Sequence, residues 1–141
     1  MRKLSAEQIQ DNWKKLLDTI EGFISDDRKP QLLEMYKHFE ERMMFAPASG
    51  REHFHNAMPG GYVEHVLHII QFSLQVKDLW EKNGAKINFT DEELVFAAMH
   101  HDLGKVGDLE NDYYIPNKSE WHRINQGKIY SHNPDLQYMK V

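Results

Sequence analysis

Apolar positions recur at helical spacing over most of the chain. Ser5 and Gln8 form a capping-box pattern, and Ile9, Trp13, Leu16, Leu17, Ile20 and Phe23 follow at intervals of three and four, which predicts a first amphipathic helix. A polar break over 25–29 precedes a second stripe of Leu32, Leu33, Tyr36, Phe39 and Met43, with Pro47 beyond its end. Residues 46–61 then lose periodicity, with two prolines, three glycines and two histidines in a stretch that cannot sustain a helix. Val63, Val66, Leu67, Ile70 and Leu74 define a third helix running toward Trp80 and ending near Gly84, and it carries His65 and His68.

Thr90 and Glu93 make a second capping box, with Asp91, Glu92 and Glu93 in the first turn, where the helix dipole favours negative charge. This fourth helix runs through Leu94, Val95, Ala97, Ala98 and Met99 to His100, His101 and Asp102, with Gly104 placed to stop it. Residues 107–118 are polar and contain Pro116, while 119–126 suggest one short helical turn ended by Gly127. No internal repeat and no strand pattern is visible. Ile129, Leu136, Tyr138 and Met139 lie in a final stretch, 128–141, too short to complete a long helix. The expectation is one all-α domain over 1–141, cut short at its C-terminus. Trp13, Tyr36, Phe39, Phe72 and Trp80, at helical spacing, are read as core.

Composition narrows the function classes. Hydrophobic residues at 40% and charged residues at 28% describe an ordered globular chain. A net charge of -5 gives no general attraction to a polyphosphate backbone, and no local basic patch is evident, which favours a small-molecule partner over nucleic acid. No secretory pattern opens the chain, and no apolar run approaches the roughly 20 residues of a membrane span, so a cytoplasmic protein without a membrane partner is expected. Homo-oligomerisation stays open. The absence of cysteine excludes thiolate ligands, disulfides and cysteine nucleophiles, so any metal must use imidazole and carboxylate.

Six of the nine histidines fall between positions 53 and 101. A mixed imidazole and carboxylate site suits a divalent transition metal, Zn, Fe, Mn, Ni or Co, with Mg admissible. His101 and Asp102 lie where the unpaired carbonyls of a helix end favour a cation. Because sequence neighbours diverge by about 100° around a helix axis, the two can share an ion only beside a helix end or bend.

Gly60-Gly61-Tyr62-Val63-Glu64-His65, followed by Ala97-Ala98-Met99-His100-His101-Asp102-Leu103-Gly104-Lys105, resembles the HD-domain superfamily of metal-dependent phosphohydrolases. The second segment fits its HDxGK signature, and the resemblance spans about residues 53–107. It implies a helical bundle with a metal site between the third and fourth helices. It makes His65, His101 and Asp102 metal ligands and Lys105 a partner for phosphate charge.

A final Asp ligand is part of the family pattern. Asp108 and Asp112 follow too soon to come from a separate helix, and Asp135 lies in the weakly helical tail, which points to a segment after Val141. Some members hold two ions with additional histidines, which makes His132, and less well His122, candidates for a second ion. His53 and His55 are candidates for substrate contact or proton transfer from the same pocket. His68 and His100 are each either further ligands or hydrogen-bonded structural histidines, and Lys105 also suits neutralisation of the helix C-terminus.

The implied activity is hydrolysis of a nucleotide or related small phosphate ester. A divalent ion would lower the pKa of water from 15.7 to about 7 and polarise the phosphoryl group. The alternatives are a di-iron oxygenase built on an elaborated version of the site, and a degenerate module that binds or regulates without catalysis.

Overall fold

The computed structural model describes residues 2–139, so Met1, Lys140 and Val141 of the expected domain lie outside the described residues. Among the described residues there are six α-helices and one small two-stranded sheet. Helix α1 (Ala6–Phe23) forms as its pattern predicts: both halves of the Ser5–Gln8 capping box are made, and Ile9, Trp13, Leu16 and Ile20 are buried on one face.

The second predicted helix is two. Helix α2 (Lys29–His38) and helix α3 (Glu40–Phe45) are separated at Phe39, whose φ of -99° and ψ of 10° leave the helical region. The Phe39 amide donates to the Met35 carbonyl at 3.1 Å and the Phe39 carbonyl accepts from Met43 at 2.8 Å, so the break is a bend. No glycine or proline marks it in the sequence. The third and fourth expected helices are therefore α4 (Gly61–Lys82) and α5 (Asp91–His100).

The double glycine before His65 has a steric cause. Gly60 sits in the left-handed region at φ 80°, where L side chains are strained, and a side chain at Gly61 would drive into the Asn56 carbonyl. Glycine at both positions lets the 46–60 segment lie flat against the start of α4. Helix α5 begins with the complete Thr90–Glu93 capping box and packs along α4, the most extensive helix pairing of the fold. Leu16, Ile20, Tyr36, Met43, Tyr62, Val63, Val66, Val95 and Met99 fill the core between α1, α2, α3, α4 and α5. Full burial of each large apolar side chain contributes about 1.5–3 kcal/mol.

Phe72 and Trp80, read as core from their spacing, are 55% and 58% exposed. Lys77 of α4 still pairs with Asp91, the first residue of α5, at 3.0 Å, so α5 covers α4 past Phe72, whose ring instead stacks on exposed His68 off the buried stripe, while Trp80 lies beyond that pair. The buried stripe of α4 ends at Ile70.

Past α5, a 3-10 turn (Leu103–Val106) leads to strand β1 (Tyr114–Pro116), helix α6 (Glu120–Gln126) and strand β2 (Tyr130–His132). Ser119 caps α6 and Gly127 ends it in the left-handed conformation, as the sequence suggests. The strands were not expected. They pair antiparallel, Tyr114 opposite His132 and Pro116 opposite Tyr130, and three residues each are too few to show a period of two. Bonds from Tyr130 N to Gly50 O at 3.0 Å and from Glu52 N to Gly127 O at 2.8 Å fasten this unit to the 46–60 segment. A second 3-10 turn, Pro134–Leu136, buries Leu136. Among the described residues, no helix is long and apolar enough to cross a membrane.

Candidate metal centre

Helix α5 ends at His100, and the chain turns through His101 (φ -57°, ψ -31°) and Asp102 (φ -113°, ψ 16°). This turn relieves the divergence of neighbouring side chains on a helix, and both point toward His65 on the second turn of α4. His65 Nε2 lies 3.2 Å from His101 Nε2, and Asp102 Oδ2 lies 3.3 Å from each of those nitrogens. Ligands held 2.0–2.2 Å from one ion, at angles between octahedral and tetrahedral, are spaced about 2.8–3.6 Å apart, so the spacing of the three donors fits a metal.

The tautomers suit the role. His101 Nδ1–H donates to the Ala98 carbonyl at 2.7 Å, which leaves Nε2 with a free lone pair. Burial, and then the nearby His55, push the His65 imidazole down to about 4 against the opposing pull of Asp102. His65 is therefore neutral at pH 7, the form that binds metals.

His55 joins this group. Its ring centroid is 4.5 Å from that of His65, and ligand atoms of His55, His65 and Asp102 all lie within 4.8 Å of one another. The loop is built to place it: Asn56 takes a positive φ of 50°, Ser49 Oγ donates to the His55 carbonyl at 2.7 Å, and Ala48 N to the Asn56 carbonyl at 3.0 Å. His55 is thus brought to the exposed edge of the candidate metal group.

Lys105 Nζ sits 2.7 Å from Asp102 Oδ2, the carboxylate oxygen on which the histidines converge. Its backbone amide also bonds the Asp102 carbonyl at 2.9 Å, closing the turn.

Other candidates lie elsewhere. His53 packs edge-on against Phe54, with Nδ1 beside Gly127, and is not brought to the group. His132 is on β2, its ring 4.9 Å from that of Tyr113 and 5.5 Å from that of Tyr114, and it does not join the group either. His122 Nδ1 bonds the Ser119 hydroxyl at 2.7 Å on α6. His68 is exposed and stacks on Phe72. His100 uses both ring nitrogens: Nδ1–H donates to the Phe96 carbonyl at 2.7 Å, and Nε2 accepts from the Tyr36 hydroxyl at 3.2 Å. It is a structural histidine, and burial lowers its pKa.

Among the described residues, no acid after Lys105 completes the group. Asp108 accepts from the Tyr138 hydroxyl at 2.6 Å, Asp112 pairs with Arg42 Nε at 2.7 Å, and the Asp135 amide bonds Asn133 Oδ1 in the final turn. A cleft of about 610 Å³ beside Lys105, lined by residues of α2, α3 and the β1–β2 pair, has no signal in the sequence. Its walls come from segments far apart along the chain.

Comparison of the chain with protein-family models, with curated proteins and with solved structures finds no match.

Proposed function

We propose that this chain is a metal-dependent phosphohydrolase of the HD type, with its centre between α4 and α5, acting on a nucleotide or related small phosphate ester. The observation that carries the reading is the convergence of His65, His101 and Asp102 at 3.2–3.3 Å, from the two segments that resemble the HD pattern.

These three residues hold the ion, and His55 from the loop stands beside them at the exposed edge of the group. A bound divalent ion supplies Lewis acidity to water and to a phosphoryl oxygen. Two neutral imidazoles and one carboxylate leave a divalent site with net positive charge, and Lys105 adds another, so the centre attracts a phosphate dianion. The Lys105 ammonium then has two acceptors, Asp102 and a phosphate oxygen, and it steadies the charge that grows on phosphate oxygens as the ester bond breaks. His55, at the exposed edge of the group, is placed to exchange a proton with solvent or with the leaving oxygen.

Elemental analysis of chelator-stripped protein reconstituted with Mn, Co, Ni or Mg, followed by a phosphate-release assay on nucleotides, tests this. The expected result is one or two ions per chain and metal-dependent phosphate release. Two irons per chain with no phosphatase activity would establish an oxygenase instead. A chain that binds no metal would be a degenerate module.

A further inference from the structure

The outer face of α4 carries an apolar stripe that is open to solvent. Phe72, Val76, Leu79 and Trp80 fall at i, i+4, i+7 and i+8 and are 55%, 47%, 58% and 58% exposed. The buried residues of the same helix, among them Val63, Val66 and Ile70, lie on its other side, where α1, α3 and α5 pack.

The stripe lies in a stretch bare of charge. Charged residues make up 28% of the chain, yet 65–76 contains no Asp, Glu, Lys or Arg, although His68, Gln71, Phe72, Gln75 and Val76 are all exposed there. The solvent face of an amphipathic helix ordinarily carries charges, whereas charge depletion with exposed aromatics is the composition of an interface core. Toward the end of α4 the charges return as pairs, Lys82 with Asp78 at 2.6 Å and Lys77 with Asp91 at 3.0 Å, and form a polar rim already matched within the chain.

These features select a second copy of this chain as the occupant. At a net charge of -5, two copies repel except where uncharged faces meet, and this face is uncharged. A basic partner would instead be recognised by exposed acids, which 65–76 lacks. The stripe is also self-complementary: turned antiparallel about a two-fold axis beside Gln75 and Val76, Phe72 of one copy lies opposite Leu79 of the other, and the symmetry makes this contact twice. The exposed parts of Phe72 and Trp80 offer roughly 100 Å² each and those of Val76 and Leu79 roughly 50 Å² each, about 300 Å² of apolar surface per copy. In an interface of ordinary composition that corresponds to about 500 Å² per partner and about 1,000 Å² in all, the size of a weak, reversible dimer.

We propose that α4 is the interface of a weak two-fold dimer of this chain, built on Phe72, Val76, Leu79 and Trp80 across an antiparallel pair of α4 helices. The stripe begins two turns beyond His65, and the proposal is independent of any reaction at the metal centre.

Sedimentation velocity from low micromolar to several hundred micromolar chain tests the pairing. The wild type is expected to pass from monomer to dimer with a midpoint in the micromolar range, and to do so equally in high salt, because apolar burial rather than ion pairing drives association. Phe72→Glu is expected to weaken the dimer at least about tenfold and, the side chain being exposed, to leave the circular-dichroism melt unchanged. Trp121→Glu, at an exposed position of α6, is expected to leave the dimer as it is. The absence of cysteine gives a second readout: Gln75→Cys places one thiol of each copy beside the axis and is expected to oxidise to a disulfide-linked dimer, while Lys15→Cys, on the exposed face of α1, is expected to stay monomeric under the same oxidation. A wild type that remains monomeric over the whole range, a dimer that survives Phe72→Glu or is lost in Trp121→Glu, or cross-linking through position 15 as readily as through position 75 would overturn the proposal.

Discussion

His65 and His101, 36 positions apart in sequence, present Nε2 atoms 3.2 Å from each other, and Asp102 Oδ2 is 3.3 Å from both. Without a cation, His65 Nε2–H donates to His101 Nε2, and this spacing, beside the Asp102 carboxylate, is held by α4–α5 packing and the turn after His100. Removal of any one donor should therefore lower metal affinity steeply. His65→Ala and Asp102→Asn are expected to weaken Mn or Co binding by more than about 100-fold, beyond the cost of losing an outer hydrogen-bond partner. His55→Ala, at the outer edge, is expected to cost about tenfold. His68→Ala, on an exposed face of the same helix, is the control. Competition against a chromophoric chelator measures each, and equal affinity in wild type and His65→Ala would remove this ligand assignment.

Lys105 gives an opposing pair of effects. Its ammonium holds the same Asp102 oxygen that a metal would use, and like charges repel. Lys105→Gln is expected to bind Mn no more weakly than wild type, while kcat/KM for phosphate release falls by about 100-fold, the scale of losing one charge-stabilising donor. Loss of metal together with activity would instead make Lys105 a support for Asp102.

The parts of this architecture that were readable from sequence are those determined by local chemistry. The capping residues of α1 and α5, the Ser119–Gly127 bounds of α6, and the His-Asp pair beyond a helix end all act within a few residues. The bend at Phe39 has no local breaker, and the three-residue strands depend on partners across α6. Phe72 and Trp80 are exposed although apolar: Phe72 lies on the outer face with His68 and Trp80 beyond the Lys77–Asp91 pair, so an apolar residue at roughly helical spacing need not lie on the covered face. His53 and His55 look alike in sequence, and their separation depends on the left-handed Asn56 and on the hydrogen bond from Ser49. The cleft needed side chains from four segments.

Asp108 provides a pH test away from the centre. The Tyr138 hydroxyl, and then the Glu110 and Asn111 amides, hold its carboxyl down to about 2. A depressed folded pKa contributes stability that is present above the unfolded value of about 4 and is lost as pH falls through about 2. Tyr138→Phe is expected to raise the Asp108 pKa toward the ordinary carboxylate range, and to move acid unfolding to higher pH. A carboxyl-carbon NMR titration reads the first effect. An Asp108 that still titrates near 2 in Tyr138→Phe would assign its shift to the backbone amides alone.

Two glycine substitutions should change stability in opposite directions. A methyl group at Gly61 would drive into the Asn56 carbonyl, which belongs to the segment that positions His55, so Gly61→Ala is expected to destabilise by about 1–3 kcal/mol or to displace that segment. Gly22 lies inside α1, and a methyl group added there would meet nothing within 4 Å, so Gly22→Ala is expected to stabilise by about 0.5–1 kcal/mol through lower backbone entropy in the unfolded chain. Denaturant melts of the two variants beside wild type give both signs. If displacement of the loop absorbs the clash, Gly61→Ala should keep its stability and lose the His55 contribution to metal affinity. A Gly61→Ala protein with unchanged stability and unchanged metal affinity would show that the close approach to Asn56 does not position the loop.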